Sequence, residues 1–142
     1  GDIHLRRALA ASKLLSADVS AAYDPLYPEA YDKTNTPYLG CGIPLTKYTG
    51  SRGKGGSNDA NAEFMGKVRS IFNKAGVVWQ TGELGKVDAG GGGTIAQFVS
   101  LYGMDVVDCG VALLSMHSPY EVSSKADVYM AHKAYSAFYC NA

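Results

Sequence analysis

Residues 58–84 read NDANAEFMGKVRSIFNKAGVVWQTGEL, and this stretch decides the fold. Phe64, Met65, Val68, Ile71, Phe72 and Ala75 recur at the i, i+3, i+4, i+7 spacing of one helical face. Asn58 or Asp59 is available as the N-cap, and Gly76 stands where a helix of this length would stop. The segment 76–84, GVVWQTGEL, then changes to a short β-rich run. A helix is therefore followed at once by a strand.

Working outward, the same alternation continues. Downstream, residues 94–103 (TIAQFVSLYG) read as a helix with Ile95, Phe98, Val99 and Tyr102 inward and Gly103 as its stop. Residues 104–116 (MDVVDCGVALLSM) are apolar enough for one or two strands. Residues 123–141 form a final helix, with Met130, Ala134, Ala137 and Phe138 as its apolar face. Upstream, residues 42–50 (GIPLTKYTG) read as a strand and 51–60 (SRGKGGSNDA) as a glycine-rich loop. Pro25, Pro28 and Pro37 mark residues 23–38 as a loop. The first residues begin helical and become strand-like at 14–22 (LLSADVSAA). The order is helix, strand, strand, helix, strand, helix, strand, helix. It predicts a layered α/β domain with helices on both sides of a sheet.

The 142 residues suffice for one domain, with no repeat and no interdomain linker. Lys plus Arg equals Asp plus Glu at 13 each, so charge gives no reason to expect nucleic acid or an anionic membrane. No apolar run approaches the ~20 residues of a membrane-spanning helix, and no signal-peptide pattern opens the sequence. Cys41, Cys109 and Cys140 lie far apart, with no CxxC pair for a cysteine zinc site. An odd cysteine count without framework spacing suits a reducing, cytoplasmic setting.

Four features carry possible chemistry. His117 ends the apolar run GVALLSMHSPYE (110–121), either as a surface cap or as a metal ligand or general base at a strand end. Asp18 lies inside the apolar stretch SADVSAA, where an acid is expensive unless paired, hydrogen-bonded or on a metal. It either caps a turn or joins His117 as half of a metal site. Gly90 to Gly93 precede a helix and are either a permissive turn or a place where a ligand approaches the backbone. The run lacks the Gly-Lys-Ser/Thr of a P-loop and the setting of a dinucleotide fingerprint. Lys47 ends a predicted strand, whereas Lys54 reads as a loop residue. Ser115 and Ser118 flank His117, but no GxSxG elbow supports a serine hydrolase.

Taken together, SADVSAAYDP, LTKYTGSRGKGGSNDANAEF, GELGKVDAGGGGTIAQF and DCGVALLSMHSPYEVSSKADV resemble the C-terminal part of the aspartyl aminopeptidase family, its bacterial branch most. The resemblance runs from about Ser12 to Phe138. It implies a three-layer αβα domain with a central mixed sheet, part of a dinuclear metallo-aminopeptidase. It also implies divalent metal as cofactor, two zinc ions in the whole site. The substrate would be a peptide with an N-terminal Asp or Glu, and the assembly a homo-oligomer. By that resemblance Asp18 and His117 are metal ligands and Lys47 receives the acidic side chain. Gly92, Gly93 and Met116 line the substrate site. The family's other histidine, bridging aspartate, glutamate ligand and base glutamate lie upstream of the matched region. This sequence therefore supplies two of five ligand positions and no base. The single domain 1–142 is expected to be the C-terminal portion of such an enzyme and inactive alone. The other reading is a non-catalytic, self-assembling protein on the same scaffold.

Overall fold

The computed structural model describes residues 1–51, 55–83, 85–86 and 91–141. In chain order these form helix α1 (Asp2–Ala10) and strands β1 (Lys13–Ser16), β2 (Ser20–Ala21), β3 (Ile43–Leu45), β4 (Tyr48–Ser51) and β5 (Gly55–Asp59). Helix α2 (Ala62–Lys74), strand β6 (Trp79–Thr81) and helix α3 (Ala96–Ser100) follow. Strands β7 (Asp105–Asp108), β8 (Ala112–Leu114) and β9 (Val122–Ser123) lead into helix α4 (Lys125–Asn141).

The pairing is mixed. β1 runs parallel to β7, β2 to β8 and β3 to β6, while β4–β5 and β8–β9 are antiparallel. An antiparallel bridge between Thr46 and Asp108 ties the β3 side to the β7 side. Strand β7 is covered on both faces, as strands between two helical layers are. Val107 and the following Cys109 point into a core with Ile43 and Leu45, Phe64, Val68 and Phe72 of α2, and Ala131, Ala134 and Phe138 of α4. Val106 and Asp108 alternate to the opposite face and are equally buried. There α3 lies against β5 and β7. Helices thus sit on both sides of a mixed sheet, the expected αβα layering.

Helix α2 forms where its apolar period predicts, and Gly76 stops it at φ 62°. Its N-cap is Asn61, whose side-chain oxygen accepts from the Phe64 N–H at 2.7 Å. Asn58 and Asp59, the expected caps, are instead the last residues of β5. The expected loop over 51–60 is accordingly half hairpin: β5 pairs back onto Tyr48 and Thr49. Glycine-rich β5 has no propensity signal of its own, so pairing with β4 makes the strand.

Two helical faces depart from expectation. On α4 the buried stripe is Asp127, Ala131, Ala134 and Phe138, with Met130 and Ala137 only half-buried. Asp127 is fully buried and both of its oxygens are paired: they accept the N–H groups of Gly40 (2.7 Å) and Gly42 (2.8 Å). It pins the turn before β3 to the first turn of α4. On α3, Ile95, Phe98 and Tyr102 were expected inward. All three are more than half exposed, and Leu101 is 83% exposed. The helix spans only five residues and buries Ala96 alone; Val99 is half-buried, while Phe98 within it and Ile95, Leu101 and Tyr102 at its ends stay exposed.

Candidate metal and substrate site

The apolar stretch containing Asp18 is two short strands with a break between them. β1 follows β7, β2 follows β8, and residues 17–19 cross from one partner to the other. Asp18 sits in that crossing, just beyond the C-terminal end of β1, and is half-buried. Gly110 makes the same crossing on the other side, between β7 and β8. A Cβ at Gly110 would lie 1.8 Å from the Asp18 carbonyl oxygen, so only glycine fits there.

His117 stands three residues past the end of β8, in a turn closed by the Ser118 N–H on the Ser115 carbonyl. Ser115 and His117 are the only described non-glycine residues with positive φ, at 58° and 69°. Such backbone costs of order 1–3 kcal/mol and persists where its surroundings over-determine it. Here the Glu121 carboxylate accepts the His117 backbone N–H at 2.6 Å. The turn presents the imidazole to solvent at the strand end.

Both side chains line one cavity of about 340 Å³, together with Gly92, Gly93 and Met116. Val19, Ala21 and Tyr31 complete a mostly apolar wall. The C-terminal ends of parallel strands, where the chain switches partner, are where open α/β sheets bind ligands. Five of the six residues singled out in the sequence therefore meet. The sixth does not: Lys47 is exposed, pairs with Asp59, and lines a separate depression with Asn35, Arg69 and Glu83. Gly90 and Lys54 lie outside the described residues.

A carboxylate and an imidazole are zinc ligand types, but zinc sites use three or four protein donors. Among the described residues no group of three or more His, Cys, Asp or Glu could hold a metal ion. The donor set fits zinc chemistry as part of a site. The three cysteines are free, and burial pushes the Cys109 thiol well above its ordinary range, away from thiolate chemistry.

A second acid belongs to this neighbourhood. Asp108 is 3% exposed, and its Oδ2 accepts the Thr94 hydroxyl at 3.0 Å and the Thr49 hydroxyl at 3.4 Å. Desolvation raises its pKa; hydroxyls of Ser16, Thr94 and Thr49 pull it down, and the nearby Asp18 charge adds to the rise. Sequence reading passed over Asp108, although an acid within an apolar strand is the signal that singled out Asp18.

The sequence profile of the Aminopeptidase I zinc metalloprotease (M18) family matches residues 2–139. A Clostridium acetobutylicum protein named "Probable M18 family aminopeptidase 1" is 59% identical over 140 residues, covering 99% of this chain and 30% of its own length. The crystal structure of an M18-family aminopeptidase from Thermotoga maritima superposes with a TM-score of 0.91 at 51% identity, covering 96% of this chain and 30% of that one. The Saccharomyces cerevisiae mApe1 dodecamer gives a TM-score of 0.75 at 28% identity, with coverages of 96% and 28%. The chain thus spans under a third of the length of the relatives it matches. It belongs to the M18, or aminopeptidase I, family of zinc metalloproteases.

Proposed function

We propose that this chain is the C-terminal portion of a metallo-aminopeptidase domain, and that Asp18 and His117 each donate one ligand to a two-zinc site completed by residues outside it. The observation that carries this reading is their meeting on one cavity with the glycine run. Zinc bound there would polarise the scissile carbonyl and supply a low-pKa water. The chain's own residues do the rest. Asp18 and His117 hold and orient their ions. Gly92 and Gly93, without side chains, let a peptide backbone come close. Met116, Val19 and Tyr31 keep water from the flanks of the bound residue. No residue of this chain is assigned as the general base.

The identity of the residue removed has two readings. Removal of N-terminal Asp or Glu needs a cation, and Lys47 could serve if it left Asp59. Removal of an apolar residue is favoured by the cavity wall, which is apolar and includes no Lys or Arg among its described residues. Self-association is supported by the related dodecamer and by the exposed apolar side chains of α3. Three free cysteines support a reducing, cytoplasmic location. Among the described residues no helix is long and apolar enough to cross a membrane.

The test is hydrolysis of Asp- and Leu-p-nitroanilide by the full-length protein and by the 142-residue chain, with zinc, manganese or cobalt. Metal-dependent turnover by the full-length protein, lowered at least about 100-fold by His117→Ala, is expected, with none from the 142-residue chain. Preference for the Asp substrate, lost in Lys47→Ala, would select the acidic reading; preference for Leu, the apolar one. Turnover by the short chain would break the divided-site proposal. No turnover from either, with the fold intact, would point to a non-catalytic assembly role.

A further inference from the structure

The link Asp108–Cys109–Gly110 between β7 and β8 touches both walls of the cavity. Its backbone is fixed from three directions. The Asp108 carbonyl accepts the Thr46 N–H at 2.9 Å, the Cys109 N–H donates to the Ser16 carbonyl at 2.7 Å, and the Cys109 carbonyl accepts the Tyr135 hydroxyl at 2.6 Å. β1, the end of β3 and α4 therefore hold one short segment in place.

From that fixed point two contacts reach the site. Gly110 lies against the backbone of Asp18, with a virtual Cβ 1.8 Å from its carbonyl oxygen and 2.9 Å from the Val19 nitrogen. The neighbouring Ser20 N–H donates to the Val111 carbonyl at 3.0 Å and keeps the two crossings in step. The Asp108 side chain turns the other way. Its Oδ2 accepts from Thr94, the first residue after the glycine run, itself buried and lining the cavity. Glycines have no side chains to pack and much backbone freedom to lose. The placement of Gly91–Gly93 depends on what anchors their ends, and Thr94 is the described anchor. Asp108 Oδ1 is buried with no hydrogen-bond partner, so this carboxylate is kept at a desolvation cost its hydroxyl contacts only partly offset.

We infer that this link is a two-sided brace. Gly110 positions Asp18 for metal, and Asp108, through Thr94, positions the glycine run for the substrate backbone. Both are positioning residues, and the inference rests on the proposed metal role of Asp18.

The two sides separate experimentally. In the full-length protein, Thr94→Val, Thr94→Ser, Gly110→Ala and, as control, His117→Ala are compared by chelator competition for zinc. Thermal melting with and without zinc is recorded, as are kcat and KM for whichever of Asp- or Leu-p-nitroanilide is cleaved better. Thr94→Val removes one hydrogen bond to the Asp108 carboxyl and is expected to raise KM about ten-fold, with zinc affinity within about two-fold of the original. Thr94→Ser restores KM. Gly110→Ala is expected to weaken zinc binding about 10- to 100-fold and to shrink the zinc-induced rise in Tm. Unchanged KM in Thr94→Val, failure of Thr94→Ser to restore it, or unchanged zinc affinity in Gly110→Ala would each overturn the brace. If Gly110→Ala does not fold, the Thr94 pair decides. If His117→Ala leaves zinc affinity intact, the metal reading itself fails, a result distinct from failure of the brace.

Discussion

The two faces of the sheet differ in how complete they are. The α2–α4 face closes on itself: Phe72, Val68, Ile43 and Leu45 are essentially inaccessible, and Phe64 meets Phe138 edge-on at 6.3 Å. The α3 face carries Thr94, Asp108 and the cavity lined by Asp18 and His117, yet leaves Ile95, Phe98, Leu101 and Tyr102 exposed. One face spends its apolar side chains on folding this chain. The other is arranged around groups that this chain alone does not use up. Substitutions should therefore act on stability on the first face and on binding on the second.

The largest stability effect is expected from Phe72→Ala, about 3–5 kcal/mol from lost burial and the cavity left behind. Chemical denaturation of the 142-residue chain measures it. Asp127→Ala comes next, on the order of 3 kcal/mol, because it strands the buried N–H of Gly42 and takes the acceptor from the more exposed N–H of Gly40. Asn61→Ala removes the α2 cap and should cost about 1 kcal/mol. Leu101→Ser, on the other face, should change stability by less than about 0.5 kcal/mol, while altering particle size in light scattering if that face is covered in an assembly. A multi-kcal/mol loss from Leu101→Ser would erase the contrast between the faces.

Asp108 gives the smallest and most conditional effect, through pH. Its folded pKa is raised, chiefly by desolvation. Protonation therefore favours the folded state, and the carboxyl's contribution is fully present below its unfolded value of about 3.9. It is lost as pH climbs from there through the raised folded value. Asp108→Asn, with no charge to desolvate, should flatten that part of the stability–pH profile. A wild-type profile that instead rises across the window because of this group would contradict the stated sign.

Much of this architecture is legible in the sequence, and the gaps have physical causes. Helix α2 is readable because five of its residues form a single buried stripe ended by Gly76. Helix α3 misleads because its apolar period is real but points outward, and periodicity reports a face without saying what covers it. Strand β5 is invisible locally, since its order comes from pairing with β4. Asp18, His117 and the glycine run stood out as unusual residue types in apolar or glycine-rich settings, Met116 entered through the family resemblance alone, and these residues line one cavity. Lys47 was placed by resemblance too, but its side chain pairs with Asp59 and lines another depression. Asp127 and Gly110 answer to partners 85 to 92 positions away in sequence, and no local pattern reports such contacts.

The central claim is that Asp18 and His117 hold metal together with donors outside this chain. The most direct test is zinc stoichiometry and affinity, by chelator competition, for the full-length protein, its Asp18→Asn and His117→Ala variants, and the 142-residue chain. The account predicts two zinc ions per full-length chain, weakening of about 10-fold or more in each variant, and far weaker binding by the short chain. Full affinity in either variant, or tight stoichiometric zinc on the 142 residues alone, would contradict it.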